Sequence, residues 1–280
     1  MARGLRSIEV LDRHWLLPTT VLGTYAVILL GIYTAAVGAG LTCNARWPLC
    51  DGAVFGLFPA NWPSFIEWFH RLVAMVAGVL IIGSWIALAR ARSRRALAAM
   101  TGAVLLLPIQ IWLGAGTVLG YELATLMAHF LVAFVIFTLI IAAAIWSTGL
   151  DPRRWPGLRP LFATLLIAMA PFVLLTPHYL FVHTGGVQML YYGIGLFIVG
   201  CLVWVAITTV SDGLAIPGLA TVGVALLVAQ MVAGRVVRTD VVHAVDWAGA
   251  ALTVMVLVLT VIVVHRAERR GTVRRPTLEA

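Results

Sequence analysis

Eight apolar stretches, each about as long as a helix needs to cross a bilayer (~20 residues), dominate this 280-residue chain. They fall at about 16–40, 65–89, 97–119, 123–147, 159–183, 186–208, 214–234 and 241–265. In hydrocarbon, a backbone must satisfy its own hydrogen bonds, so segments of this length and apolarity are expected as helices. The composition agrees. Hydrophobic residues make up 62% of the chain and charged residues 11%, far from the roughly even balance of soluble domains. The expected fold class is an all-α integral membrane protein of eight transmembrane helices. The first stretch is too long for a signal-peptide core and lacks a small-residue cleavage site, so it is read as a retained helix.

The connecting segments are short apart from 41–64. The chain has no lysine, and its 19 basic residues are all arginine. Arg3, Arg6 and Arg13 precede the first stretch, and Arg90, Arg92, Arg94 and Arg95 follow the second. Arg153, Arg154 and Arg159 follow the fourth, and Arg266, Arg269, Arg270, Arg274 and Arg275 follow the eighth. The positive-inside rule makes that side cytoplasmic. Both termini are then inside, in a plasma-membrane protein, and the 41–64 loop is extracytoplasmic. The net charge of +8 is thereby a topology signal, with some attraction to anionic lipid, and not a nucleic-acid footprint.

Ionisable groups inside apolar segments are costly and usually functional. The second stretch opens "SFIEWFHRLVAMVAG", with Glu67, His70 and Arg71 close together. His70, His129 and His243 all fall early in even-numbered helices, at similar depth in the outer leaflet. The chain also looks duplicated. "PIQIWLGAGTVLGYELATLMAHFLVAF" parallels "LVAQMVAGRVVRTDVVHAVDWAGA", matching Gln110 with Gln230 and His129 with His243. Glu67-x-x-His70 parallels Gln188-x-x-Tyr191. Two pseudo-symmetric four-helix bundles, 1–150 and 151–280, are the expected organisation.

Matched histidines from facing helices suit a haem held between axial imidazoles. For any one histidine, a hydrogen bond to a neighbouring helix explains it equally well. A zinc-type site fits less well, because no second carboxylate or cysteine shares that depth. Glu67 lies three residues before His70, on the same helix face, where it could exchange protons with bound substrate or merely pair with Arg71. Cys43 and Cys50 lie in the outer loop, on the oxidising side. They read either as a loop staple or as a redox pair. Arg71, Arg235 and Arg238 are candidate partners for haem propionates, as is Arg46. Trp47, Trp62 and Trp68 read as interface anchors.

The loop motif "GAGLTCNARWPLCDG", the "EWFHRLVA" of the second helix, the "QIWLGAGTVL" of the third and His129 resemble the haem A synthase family. The resemblance covers essentially the whole chain. It implies oxidation of the C8 methyl of haem O to the formyl group of haem A by successive hydroxylations, in terminal oxidase biogenesis. It implies that His70 and His129 bind the substrate haem and that Glu67 is catalytic. It also implies that Cys43 and Cys50 form a redox-linked disulfide. The haem O synthase that supplies the substrate is an implied partner. The second half would bind a haem b that relays electrons. There the chain departs from the family pattern, with Tyr191 where a histidine belongs. His243 would be one axial ligand of that haem, with Tyr191 or His183 as the other. A diheme b-type electron-transfer protein is the alternative reading. It accounts for the histidines but not for Glu67 or the loop cysteines.

Overall fold

The structure, a computed structural model, describes residues 2–43, 50, 61–91, 93–120, 122–153, 157–176, 181–213, 215–236 and 240–269. Side chains at 2–14, 212, 236 and 240–246 lie outside that description. Among the described residues the fold is all-helical. Eight α-helices follow in order: α1 (Ala2–Ala36), α2 (Trp62–Ala91), α3 (Arg94–Leu119), α4 (Leu123–Thr148), α5 (Leu158–Leu174), α6 (Gly185–Thr208), α7 (Ala215–Val236) and α8 (Asp240–Arg269). Seven carry a stretch long and apolar enough to cross a membrane, and α5 is a shorter apolar helix. The chain is a multi-pass membrane protein.

Two ends differ from the sequence expectation for local reasons. The first helix stops at Ala36 rather than Gly40. Gly38 adopts a positive φ of 68°, a conformation glycine enters without a Cβ penalty. The chain then tightens into a 3₁₀ turn at Ala39–Cys43. The fifth helix stops at Leu174 rather than reaching 183. Thr176 precedes Pro177, and a residue before proline is pushed out of the α region.

The chain divides into two compact units. One comprises 1–148 with 184–189, and the other 149–183 with 190–280. In the first unit α1 packs on α2, α2 on α3, α3 on α4, and α4 back on α1. This ring is a four-helix bundle with α2 and α4 on a diagonal. Its seams use small and hydroxyl residues, as membrane helices do to approach closely. Thr20 Oγ1 and Ser84 Oγ are 2.8 Å apart between α1 and α2. Trp85 Nε1 donates to Thr101 Oγ1 at 2.9 Å between α2 and α3. A β-carbon at Gly102 would lie 3.2 Å from Leu139 of α4.

In the second unit α8 packs against α5 and α7. Arg159, at the start of α5, pairs with Glu268, at the end of α8, at 2.5 Å. Trp204 of α6 donates to the Leu150 carbonyl at 3.1 Å.

Candidate functional site

The polar residues of the first unit gather at one end of its bundle, where the 3₁₀ turn, the start of α2, the end of α3 and the start of α4 meet. The turn is seated on α2 by Ser64. Its Oγ lies 3.2 Å from the Thr42 carbonyl and 3.1 Å from Thr42 Oγ1, donating to one or the other. Asn61 Oδ1 accepts from the Ser64 N–H at 3.0 Å. The last residue of the turn, Cys43, forms a disulfide with Cys50, with Cα atoms 4.5 Å apart. Both sulfurs are buried, and Cys50 Sγ lies 3.6 Å from the Ser64 carbonyl oxygen.

Glu67 lies three residues after Ser64, on the same face of α2. It is 5% exposed. Its Oε1 accepts from Arg71 Nε at 2.8 Å. Its Oε2 points toward the turn, 3.7 Å from where a β-carbon on Gly40 would stand. That same point on Gly40 is 4.0 Å from the Thr117 carbonyl of α3. Gly40 of the disulfide-bearing turn therefore lies close to both the Glu67 carboxylate and α3, and the carboxylate is pinned on one oxygen by an arginine.

His70 and His129 stand on the diagonal helices, half-buried. Each ring lies against a glycine of the preceding helix. A β-carbon on Gly31 would come 2.9 Å from His70 Cε1, and one on Gly114 would come 3.1 Å from His129 Cε1. Among the described residues, His70 Nδ1 is buried with no hydrogen-bond partner. His129 Nε2 lies 3.3 Å from Gln110 Nε2, a contact in which the amide donates to an imidazole protonated on Nδ1. The Oε1 of Gln110 is buried without a partner among the described residues. Buried polar atoms are nearly always satisfied, so these two positions are open to a polar partner. Thr117 Oγ1 donates to the Gly114 carbonyl at 2.7 Å, tying the seat of His129 to the segment beside Glu67.

Gly31, Gly40, Ser64 and Thr42 escaped the sequence reading. A glycine in an otherwise apolar helix is the one signal that could have found Gly31, since it weakens the helix unless something approaches closely.

The candidates of the second unit are arranged otherwise. Tyr191 is 1% exposed and Tyr192 0%. Tyr191 stacks on Phe172 of α5, with ring centroids 4.5 Å apart. It meets Tyr192 edge-on at 5.1 Å and His183 edge-on at 6.4 Å. Tyr192 Oη donates to the Met231 carbonyl at 2.8 Å and accepts from Arg235 Nε at 2.9 Å. The Arg235 guanidinium carbon lies 4.6 Å from the centre of the Tyr192 ring. Gln230 accepts from Thr253 Oγ1 at 3.1 Å. His243 has its backbone in α8 and its side chain outside the described residues; Arg238 lies outside them altogether.

The sequence model of the COX15-CtaA family, cytochrome oxidase assembly protein, matches residues 13–176. A heme A synthase of Bacillus licheniformis is 28% identical over 171 residues, which cover 59% of this chain and 55% of that protein. A heme A synthase of Alkalihalophilus pseudofirmus is 38% identical over 116 residues, 40% of this chain and 38% of that protein. A protoheme IX farnesyltransferase of Haloarcula marismortui is 36% identical over 142 residues, 49% of this chain and 30% of that protein. The chain thus spans about half or less of the length of these relatives.

Proposed function

Because the chain belongs to the COX15-CtaA family of cytochrome oxidase assembly proteins, we propose that it is a haem A synthase whose chemistry is confined to the first unit. The substrate is haem O, and the reaction oxidises its C8 methyl to a formyl group by successive hydroxylations. The observation that carries this reading is the arrangement at the end of the first bundle. Two half-buried histidines on diagonal helices lie against glycine seats, and a buried carboxylate lies one turn before His70 on α2. The unpartnered Nδ1 of His70 and Oε1 of Gln110 suit a site designed around a bound group.

In this reading His70 and His129 hold the haem iron, as the first-half histidines do by resemblance. Glu67 would accept and supply protons during the oxidation. Arg71, bonded to Glu67, fixes the carboxylate and is a candidate propionate partner. The Cys43–Cys50 disulfide, seated on Ser64 one turn before Glu67, takes the redox role in this reading. The cofactor haem b that the resemblance implies finds no comparable arrangement among the described residues of the second unit. Similarity to part of a protoheme IX farnesyltransferase supports placing this chain directly after the prenylation that makes haem O, with that enzyme as partner. The arginine pattern supports a plasma-membrane orientation with both termini cytoplasmic and the disulfide outside.

The test is production of the full chain in cells that make haem O but no haem A, followed by chromatography of the extracted haems. Haem A or its hydroxymethyl precursor, absent without the chain, is the expected result. Bound haem b with no new haem species would favour the electron-transfer reading instead.

A further inference from the structure

We propose that the second unit carries no haem, and that its interior is closed by its own side chains, Phe172, Tyr191, Tyr192, Met231 and Arg235. The inference rests on the haem reading of the first unit and departs from the two-haem arrangement that the resemblance implies.

Tyr191 occupies the position of an axial histidine by spacing. A phenolate can ligate iron, but only with its oxygen facing an open slot. Tyr191 has 1% of its surface accessible. One face of its ring is covered by Phe172, nearly parallel at 13°, and Tyr192 abuts it at 87°. One turn further along α6, a β-carbon on Gly195 would come 2.8 Å from Met231 Sδ and 2.9 Å from Phe172 Cε2. The backbone of α6 is therefore in direct contact with side chains of both α5 and α7. Among the described residues, the seam around Tyr191 and Gly195 is thus filled by side chains of this unit, and the Tyr191 ring faces no open slot.

Arg235, the described propionate candidate of this unit, is likewise engaged. It donates to Tyr192 Oη and lies over the ring of the same residue. Tyr192 in turn donates a hydrogen bond to the Met231 carbonyl. The candidate ligands of the first unit differ in being half-buried rather than sealed, and each rests on a glycine rather than an aromatic ring. The second unit then relays no electrons through a haem of its own.

The experiment is a haem count on the full chain, produced in cells that make both haem b and haem O and purified in detergent. Haem per chain is read from the pyridine haemochrome spectrum, and haem identity from chromatography. The expected result is one haem per chain or less. That haem should be lost in the double variant His70→Ala/His129→Ala and unchanged in His243→Ala and in Tyr191→Phe. About two haems per chain would overturn the inference. So would haem b that persists in the first-unit double variant and disappears when His243→Ala is added. A chain without any haem would sink the first-unit reading while leaving this one standing.

Discussion

The ring of His70 lies against Gly31 so closely that a β-carbon there would stand 2.9 Å from its Cε1. Real β-carbons do not approach so near, and so the glycine and the imidazole are one fitted unit. Gly31→Ala should push the ring from its position. The expected outcome is a several-fold loss of bound haem O with the helical signal in circular dichroism intact. Gly78→Ala, on α2 where a β-carbon meets nothing within 4 Å, is the control and should leave haem binding unchanged. Equal haem content in both variants would detach Gly31 from the site.

In the proposed reading Glu67 and His70 have different tasks, so their variants should separate. His70→Ala should weaken haem O binding and abolish product. Glu67→Gln keeps the shape but cannot exchange a proton near neutral pH. It should retain haem O and stall before oxidation or at the hydroxylated intermediate. Chromatography of haems extracted from each variant reads both outcomes, and a normal haem A yield from Glu67→Gln would make it a packing residue.

The disulfide is buried beside the same helix face. Cys43→Ser with Cys50→Ser should slow turnover without removing bound haem. Ser64→Ala removes a hydroxyl that seats the turn and should cost about 0.5–1.5 kcal/mol of stability while leaving the disulfide formed. Unchanged turnover of the double cysteine variant, measured with its physiological electron donor, would reduce the pair to a staple.

Orientation is open to a chemical test. A membrane-impermeant thiol reagent applied to intact cells after reduction should label Cys43 or Cys50. Labelling that needs lysis would reverse the topology.

In the second unit, Tyr192 bridges Arg235 and the Met231 carbonyl through one hydroxyl. Tyr192→Phe deletes both bonds, one of them to a charged partner. Such a bond is worth about 1.5–3 kcal/mol, so thermal unfolding in detergent should shift down by a corresponding amount. Haem content should stay as it was.

The helix count was legible because length and apolarity alone decide membrane spans. The ends were less so: Gly38 halts α1 through one left-handed residue, and α5 stops short at Leu174. Glu67 and His70 stood out because charge and imidazole are rare in apolar helices. Their seats did not, because Gly31 and Gly114 matter only through what lies across the helix seam. The grouping of 184–189 with the first unit was invisible for the same reason. The matched spacing of the two halves is likewise not repeated in their interiors: His70 meets a glycine, whereas Tyr191 meets Phe172.

The ion pair between Arg71 and Glu67 also bears on how the chain enters the membrane at all. Each charge alone raises the cost of inserting a helix, by up to about 2.5–3.5 kcal/mol at mid-bilayer and less toward the ends, where this pair lies. Joined one turn apart, the two cross the translocon as a nearly neutral unit. Removing either partner leaves the other to be inserted uncompensated. Single variants at these positions should therefore accumulate to lower levels than the double variant Glu67→Gln/Arg71→Gln, and their activities have meaning only per inserted chain.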